Sequence, residues 1–227
     1  MLNSSMNLTF QAYTTILQKI INTTYQPGQK LSEKDLIQEL QIGRTPVREA
    51  ILRLRQNGLV EAIPQSGTYI TKIDIEVAEN ARFIRESIET QVIKEAAAMN
   101  NELEFVRLNA IITNQKSFMK KKQFENFFKE DEAFHQAFYQ MTGKEQAWDW
   151  LQTINMQLNR FRMLRLKADN LPWDALTNEH EKILAAVKKH EAEEAVQLVK
   201  NHLHLMLGEK EALINRFPEF FTNISEQ

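Results

Sequence analysis

Cysteine is absent from the 227 residues, which excludes disulfides and every metal site built on thiolate. Glycine and proline are scarce, at 6 and 5, and a turn-rich β fold needs more of both, so helices are favoured. No apolar run approaches the ~18 residues that a membrane-spanning helix requires. The N-terminus shows no basic segment leading into an apolar core, so no secretory signal is expected and the cytoplasm is the default location. The net charge of −2 is unevenly spread: residues 1–73 carry a surplus of +3, and the remainder carries −5. A basic N-terminal piece on an acidic body suits a nucleic-acid-binding module joined to a second domain.

What is present is most informative in Leu40-Gln41-Ile42-Gly43-Arg44-Thr45-Pro46-Val47-Arg48-Glu49-Ala50-Ile51. A short helix runs into a tight turn, and a second helix follows. Thr45 is the expected N-cap, with Pro46 at the first helical position, where a missing N–H costs nothing. Val47, Ala50, Ile51 and Leu54 form one apolar stripe at helical spacing, and Asn57-Gly58 supplies the stop. Arg44 and Arg48 lie one turn apart beside that stripe. A basic first turn opposes its own helix dipole, so an external anion such as a phosphate backbone is expected to compensate it. The stretch reads as a DNA recognition helix.

Upstream, apolar residues at Tyr13, Ile16, Leu17, Ile20 and Ile21 predict a helix that ends at Tyr25-Gln26-Pro27-Gly28. Ser32 caps a short helix from Glu33 to Leu40, with Asp35 at its N3 position. Downstream, Leu59–Ile63 and Thr68–Thr71 flank Pro64-Gln65-Ser66-Gly67 and predict a hairpin. Three helices and a hairpin describe a winged helix-turn-helix over 1–73. Residues 74–227 read as an antiparallel bundle of about six helices, near 74–100, 102–122, 124–141, 144–169, 173–190 and 191–216. Gly143 and Leu171-Pro172 separate neighbouring helices, and 217–227 are expected to form a frayed tail. The fold class is therefore mainly α, with one small β-hairpin.

The helix near 124–141 places Asp131 and His135 one turn apart in a stripe otherwise made of Phe124, Phe128 and Phe138. A carboxylate there is costly unless a cation or metal pairs with it. His180 shares an inward stripe with Leu176, Ile183, Leu184 and Val187, and His202 shares one with Ala195, Val199 and Met206. A single inward histidine is usually a satisfied core residue; four such positions from three helices suggest convergence. On the fourth helix Asn155, Asn159 and Arg162 form a polar stripe that either lines a pocket or faces water.

Residues 1–71 resemble the GntR-type winged-helix regulators. The matching blocks are Pro27-Gly28-Gln29-Lys30-Leu31-Ser32-Glu33, Arg44-Thr45-Pro46-Val47-Arg48-Glu49-Ala50, Leu54 to Gly58-Leu59-Val60, and Pro64 to Gly67. The helical half resembles the FCD domain of the FadR branch, in its shorter VanR-like form. The resemblance implies DNA contacts from Arg44, Thr45 and Arg48, from Lys34 on the preceding helix, and from Ser66 and Gly67 at the wing tip. Arginine can address two guanine acceptors at once, while Lys34 and the hydroxyls would hold phosphates. Gly43 departs from the family's usual Ser or Thr and removes a hydroxyl beside the first arginine.

The same resemblance implies a divalent metal held by Asp131, His135, His180 and His202. Imidazole and carboxylate without thiolate suit Zn²⁺, Ni²⁺ or Mn²⁺, with zinc the default. It further implies a small carboxylate effector on that metal, with Arg85 neutralising its charge; Asn159 and Arg162, from the polar stripe of the fourth helix, are the further candidate effector contacts. The reading is a homodimeric repressor acting on a short palindromic operator in double-stranded DNA and modulated by the effector. Two alternatives stand beside it: the same regulator with a purely structural metal, and a metal-dependent hydrolase. Against the hydrolase, no spare acid or base shares the ligand stripes, and an enzyme has no need of residues 1–71.

Overall fold

The computed structural model describes residues 2–168 and 173–224. Its contacts divide the chain into one unit of residues 1–75 with 216–227, and a second unit of residues 76–215.

The first unit opens with α1 (Leu2–Ile21), then β1 (Lys30–Leu31), α2 (Glu33–Leu40) and α3 (Arg44–Gln56). Strands β2 (Val60–Ile63) and β3 (Gly67–Ile70) follow, with β4 (Ile73–Asp74) after them. α1 packs on α3 because each buries one apolar stripe: Ala12, Ile16 and Ile20 from α1, and Val47, Ala50 and Leu54 from α3, are all fully buried. Tyr13 sits at the margin of that seam, accepting a hydrogen bond from Asn57 at 2.8 Å with the Arg53 guanidinium over its ring. Ser32 caps α2 through the Asp35 N–H, as the sequence predicts.

The start of α3 differs from expectation. Gly43 is the N-cap and gives no side-chain bond; Arg44 is the first helical residue, and Thr45 lies inside the helix. Gln41 ends α2 in the left-handed conformation and Ile42 is buried in the turn, so the chain enters α3 two residues before Thr45. Pro46 still lies among the first positions, whose N–H groups have no intrahelical acceptor.

The hairpin forms as expected, with Ile63 opposite Gly67 and Val60 opposite Ile70. β1, which the sequence did not reveal, adds to its other side in the antiparallel order β1-β3-β2. Gly67 is needed at the wing tip: its φ is +135°, and a Cβ there would fall 2.8 Å from Lys30 Cε.

The second unit contains most of α4 (Ile75–Ala97), then α5 (Glu102–Lys120), α6 (Phe124–Met141), α7 (Glu145–Ile154), α8 (Met156–Lys167), α9 (Trp173–Lys188), α10 (Ala192–Gly208) and most of α11 (Lys210–Arg216). α5 packs on α6 and α9, and α9 packs on α10, with short connections that make sequential neighbours antiparallel. Their shared core includes Val92, Leu108, Phe134, Phe138, Trp148, Ile183 and Val199. Two of the expected helices are each divided in two. Asn155, fully buried, separates α7 from α8, and Glu209 separates α10 from α11. Leu171-Pro172, the expected separator before α9, lies outside the described residues.

The expected frayed tail is a second correction. Pro218–Phe220 form a 3₁₀ turn, and β5 (Phe221–Thr222) pairs in parallel with β4, placing Ile73 opposite Phe221. Phe221 is only 3% exposed, and Asn223 donates to Asp74 at 2.7 Å. Burial of the Phe221 ring anchors this segment. Phe221→Ala should therefore destabilise the first unit by about 3 kcal/mol, the scale of a phenylalanine removed from a core. A urea melt read at the transition of residues 1–75 checks this; an unchanged midpoint would mean that the tail is not anchored by the ring.

Candidate metal centre and nucleic-acid interface

Asp131 and His135 project from α6, His180 from α9 and His202 from α10. All four are buried, and their candidate ligand atoms lie within 4.8 Å of one another. His202 Nε2 is 3.2 Å from His180 Nε2 and 3.3 Å from His135 Nε2, and Asp131 Oδ1 is 3.7 Å from His180 Nε2. The sequence-predicted set is thus brought together. Met206, expected on the His202 stripe, has a side chain outside the described ones.

The opposite ring nitrogens are held just as definitely. His135 Nδ1 faces Glu89 Oε2 at 2.9 Å, His202 Nδ1 faces Glu179 Oε2 at 2.8 Å, and His180 Nδ1 faces Gln115 Oε1 at 2.9 Å. Gln115 is fixed in turn because its amide donates to the Glu130 carbonyl at 3.0 Å. The Nδ1 atoms of His180 and His202 therefore carry the protons, and the Nε2 of His202 faces those of His180 and His135. The Nε2 lone pairs of His180 and His202, 3.2 Å apart with no proton between them, repel unless a cation lies beside them. Acceptors behind the ring are the usual way a protein orients metal-ligating imidazoles. The donor set fits a divalent ion of the zinc, nickel or manganese kind.

Burial, followed by the Arg85 guanidinium, pushes His135 well below its ordinary value of 6.5. Burial and then His202 do the same to His180. Burial is the largest single effect and opposes the charge of Asp131, but Arg162 together with the three histidines outweighs it and holds the carboxyl below its usual range.

A cavity of about 50 Å³ adjoins the cluster. Asp131, His135 and His202 contribute to its wall, with Arg82, Arg85, Arg162 and Arg165 and the apolar side chains Phe127, Phe128 and Leu166. Arg85 is 1% exposed and donates to Glu89 at 2.7 Å, while its Nη2 has no partner among the described residues. Arg162 bonds Asp131, and its Nη1 donates to Glu132 at 2.6 Å and to Asn159 at 2.9 Å. Arg85 and Arg162 line the cavity. Asn159 does not; it holds Arg162. Asn155 forms the α7–α8 junction, with neither side-chain amide atom partnered among the described residues.

Sequence reasoning missed Glu89, Gln115 and Glu179, which hold the imidazoles, and Arg82 and Arg165, which line the cavity. Spacing carried part of that signal: Glu89 is four residues from Arg85, and each missed arginine is three residues from one already singled out.

In the first unit, Arg44, Thr45 and Arg48 stand exposed at the start of α3, and Lys34 stands exposed on α2. Glu33, also unanticipated, accepts from Arg44 Nε at 2.9 Å and from Arg48 Nε at 3.0 Å, one arginine on each carboxylate oxygen. Those two guanidinium groups hold the Glu33 carboxyl below its usual range despite the opposing effect of its partial burial. Ser66 is exposed at the wing tip, its hydroxyl 2.6 Å from that of Tyr69, and Gly67 closes the turn.

The metal-free protein should lose stability in mild acid. A buried histidine with a depressed pKa stays neutral when folded but takes up a proton when unfolded, so its contribution is intact above 6.5 and shrinks as the pH falls below it. At pH 5.5, one unit lower, His135 and His180 together should cost about 3 kcal/mol relative to pH 7.5. Calorimetric melts in chelator at the two pH values check this. Superimposable melts would mean that the two imidazoles are not held neutral.

Residues 8–70 match the gntR family of bacterial regulatory proteins, and residues 81–205 match the FCD domain. The chain is 31% identical over 202 residues to the HTH-type transcriptional repressor RspR of Escherichia coli K12, covering 89% of this chain and 88% of that one. It is 29% identical over 210 residues to a transcriptional regulator of Streptomyces ambofaciens, covering 92% and 87%. Among solved structures, E. coli McbR/YncC superposes with a TM-score of 0.76 at 18% identity, over 92% of this chain and 98% of that one. A GntR regulator of Rhodococcus sp. RHA1 gives 0.72 at 21%, over 88% and 97%. These relatives are transcription regulators rather than enzymes, and no helix among the described residues is long and apolar enough to cross a membrane. With a winged helix that carries paired arginines and a helical unit that carries a buried Asp/His cluster, the chain belongs to the GntR family of DNA-binding transcription regulators, in the branch with an FCD domain.

Proposed function

We propose that this protein is a metal-dependent repressor whose operator binding is modulated by a small carboxylate. The observation that carries the reading is the gathering of three Nε2 atoms, that of His202 lying 3.2 Å from His180 and 3.3 Å from His135, with a side-chain oxygen within 2.9 Å of each Nδ1. Asp131, His135, His180 and His202 would hold one divalent ion, with Zn²⁺ the first candidate. When bound, the ion would supply a Lewis-acidic position for a carboxylate. Arg85 supplies a buried donor without a partner among the described residues, which a purely structural metal does not require. The Phe127, Phe128 and Leu166 walls exclude water and strengthen that charge pairing.

On DNA, Arg44 and Arg48 would read bases in the major groove. Thr45, Lys34 and the wing tip at Ser66 and Gly67 would hold the backbone and set register. Two copies related by a two-fold axis would bind a short palindrome. Repression is the named activity of the E. coli K12 relative and is carried over here as part of the proposal. The effector acts only as far as it binds the DNA-competent and DNA-free arrangements unequally.

Metal analysis of purified wild type against His180→Ala/His202→Ala tests the centre. About one divalent ion per chain, lost in the variant, is expected; a wild type that cannot be loaded would overturn the proposal. For the DNA side, an operator selected from a random pool is titrated by fluorescence anisotropy at fixed salt. Arg48→Ala should weaken the selected site by about 10- to 100-fold and unrelated DNA far less, since a bidentate base contact is worth ~1–3 kcal/mol. Lys34→Ala should weaken both DNAs alike and flatten the salt dependence. Equal losses on both DNAs from Arg48→Ala would remove its base-reading role.

A further inference from the structure

Four arginines face one small cavity, more than a single carboxylate needs. They fall into two levels. Arg85 on α4 and Arg162 on α8 share the Glu132 carboxylate, at 3.5 and 2.6 Å, and stand nearest the histidines. Arg82 and Arg165 lie three residues from them on the same two helices, about 4.5 Å along each axis, and line the same cavity. Each level on α4 retains a buried guanidinium nitrogen with no partner among the described residues: Arg85 Nη2 in the inner level and Arg82 Nε in the outer one. Leaving such donors unpaired is costly, so a ligand oxygen at each level would repay a penalty already present in the fold. The separation is comparable to that between the two carboxyl groups of a short diacid.

The outer level already holds an anion. Glu209, in the break between α10 and α11, grips Arg165 through both carboxylate oxygens, one on Nε and one on Nη2 at 2.9 Å. Arg165, which lines the cavity, is 6% exposed in its side chain and Glu209 is 18% exposed, so the carboxylate that holds the arginine is reached by water. Arg82 is held by Glu86 at 2.5 Å on its own helix. Glu209 precedes α11, its carbonyl accepting from the Leu213 N–H at 3.2 Å, so its side chain can swing away from Arg165 while its backbone stays in place.

We infer that Arg82 and Arg165 form a second anion subsite, occupied internally by Glu209, that makes the cavity select small dicarboxylates over monocarboxylates. The inference rests on the carboxylate-effector reading. One carboxylate takes the inner level beside the histidines and Arg85, and the other displaces Glu209 from Arg165. The size of the cavity, room for roughly four water centres, limits the acid to a short chain.

The test is calorimetric titration of metal-loaded full-length protein with matched pairs of acids, lactate against malate and butyrate against succinate. The expected result is a preference of at least tenfold for the diacid of each pair. That ratio should collapse toward one in Arg165→Gln/Glu209→Gln, which removes cation and anion together and keeps the buried charge balanced. Glu209→Gln alone should raise diacid affinity several-fold by releasing Arg165, a gain that a merely structural ion pair would not give. Equal binding of the acids in each pair, or a ratio unchanged in the double variant, would overturn the subsite while leaving the effector site intact. If no acid of either class binds, or if Arg85→Gln leaves binding undiminished, the carboxylate reading fails and the subsite goes with it.

Discussion

The helical unit is arranged around a proton-placement constraint. Glu179 and Gln115 hold the Nδ1 of His202 and His180, and Glu89 lies against that of His135, which turns the Nε2 of His202 toward those of the other two rings. A core optimised only for stability would not do this, because the lone pairs repel and each imidazole forfeits its water. The cost is carried by a bundle whose other contacts are apolar: Phe134 stacks on His180 with ring centroids 4.0 Å apart, and Phe138 packs edge-on against Phe134. A buried polar network this close to electrostatic conflict is worthwhile only with a cation to resolve it.

The arginines around the cavity follow from the same constraint. Asp131, Glu89 and Glu132 are taken out of water to serve the histidines or their neighbours, and buried carboxylates need counter-charges. Arg162 binds both Asp131 and Glu132, and Arg85 binds Glu89 and Glu132. Burial alone would lower the Arg85 pKa, but Glu89, Glu132 and Asp131 together hold it above its ordinary range, so it remains cationic. Guanidinium donors are therefore fixed beside the Asp/His cluster before any ligand arrives, a form of preorganisation that lowers the cost of binding an anion.

Much of this was legible in the sequence. The stripes that carry Asp131, His135, His180 and His202 are periodic, and periodicity reports which side of a helix faces inward. The recognition helix was visible from Val47, Ala50 and Leu54 for the same reason. What periodicity does not encode is which inward faces meet. Gln115 on α5 and Glu179, one residue before His180, carry no pattern that marks them as imidazole partners. The capping of α3 was misjudged because Thr45 has the chemistry of an N-cap, whereas the buried turn residue Ile42 decides where the helix starts. β5 escaped because two residues paired to two others leave no alternation to detect, and only the burial of Phe221 reveals it.

The DNA-binding unit shows charge compensation of the opposite sense. Two arginines in the first turns of α3 oppose the helix dipole, and the sequence alone points to phosphate as the remedy. Glu33 supplies an internal one. Because its two oxygens engage Nε of each arginine, the terminal guanidinium nitrogens are not what it holds, and these are the atoms that fork onto a guanine edge. The bridge also offsets one of the two positive charges, which reduces the sequence-independent attraction to phosphate without removing either reading group. Specificity is a difference between the intended site and all others. Under the proposed base-reading role of Arg44 and Arg48, a carboxylate that steadies both side chains while offsetting part of their charge would widen that difference from both sides.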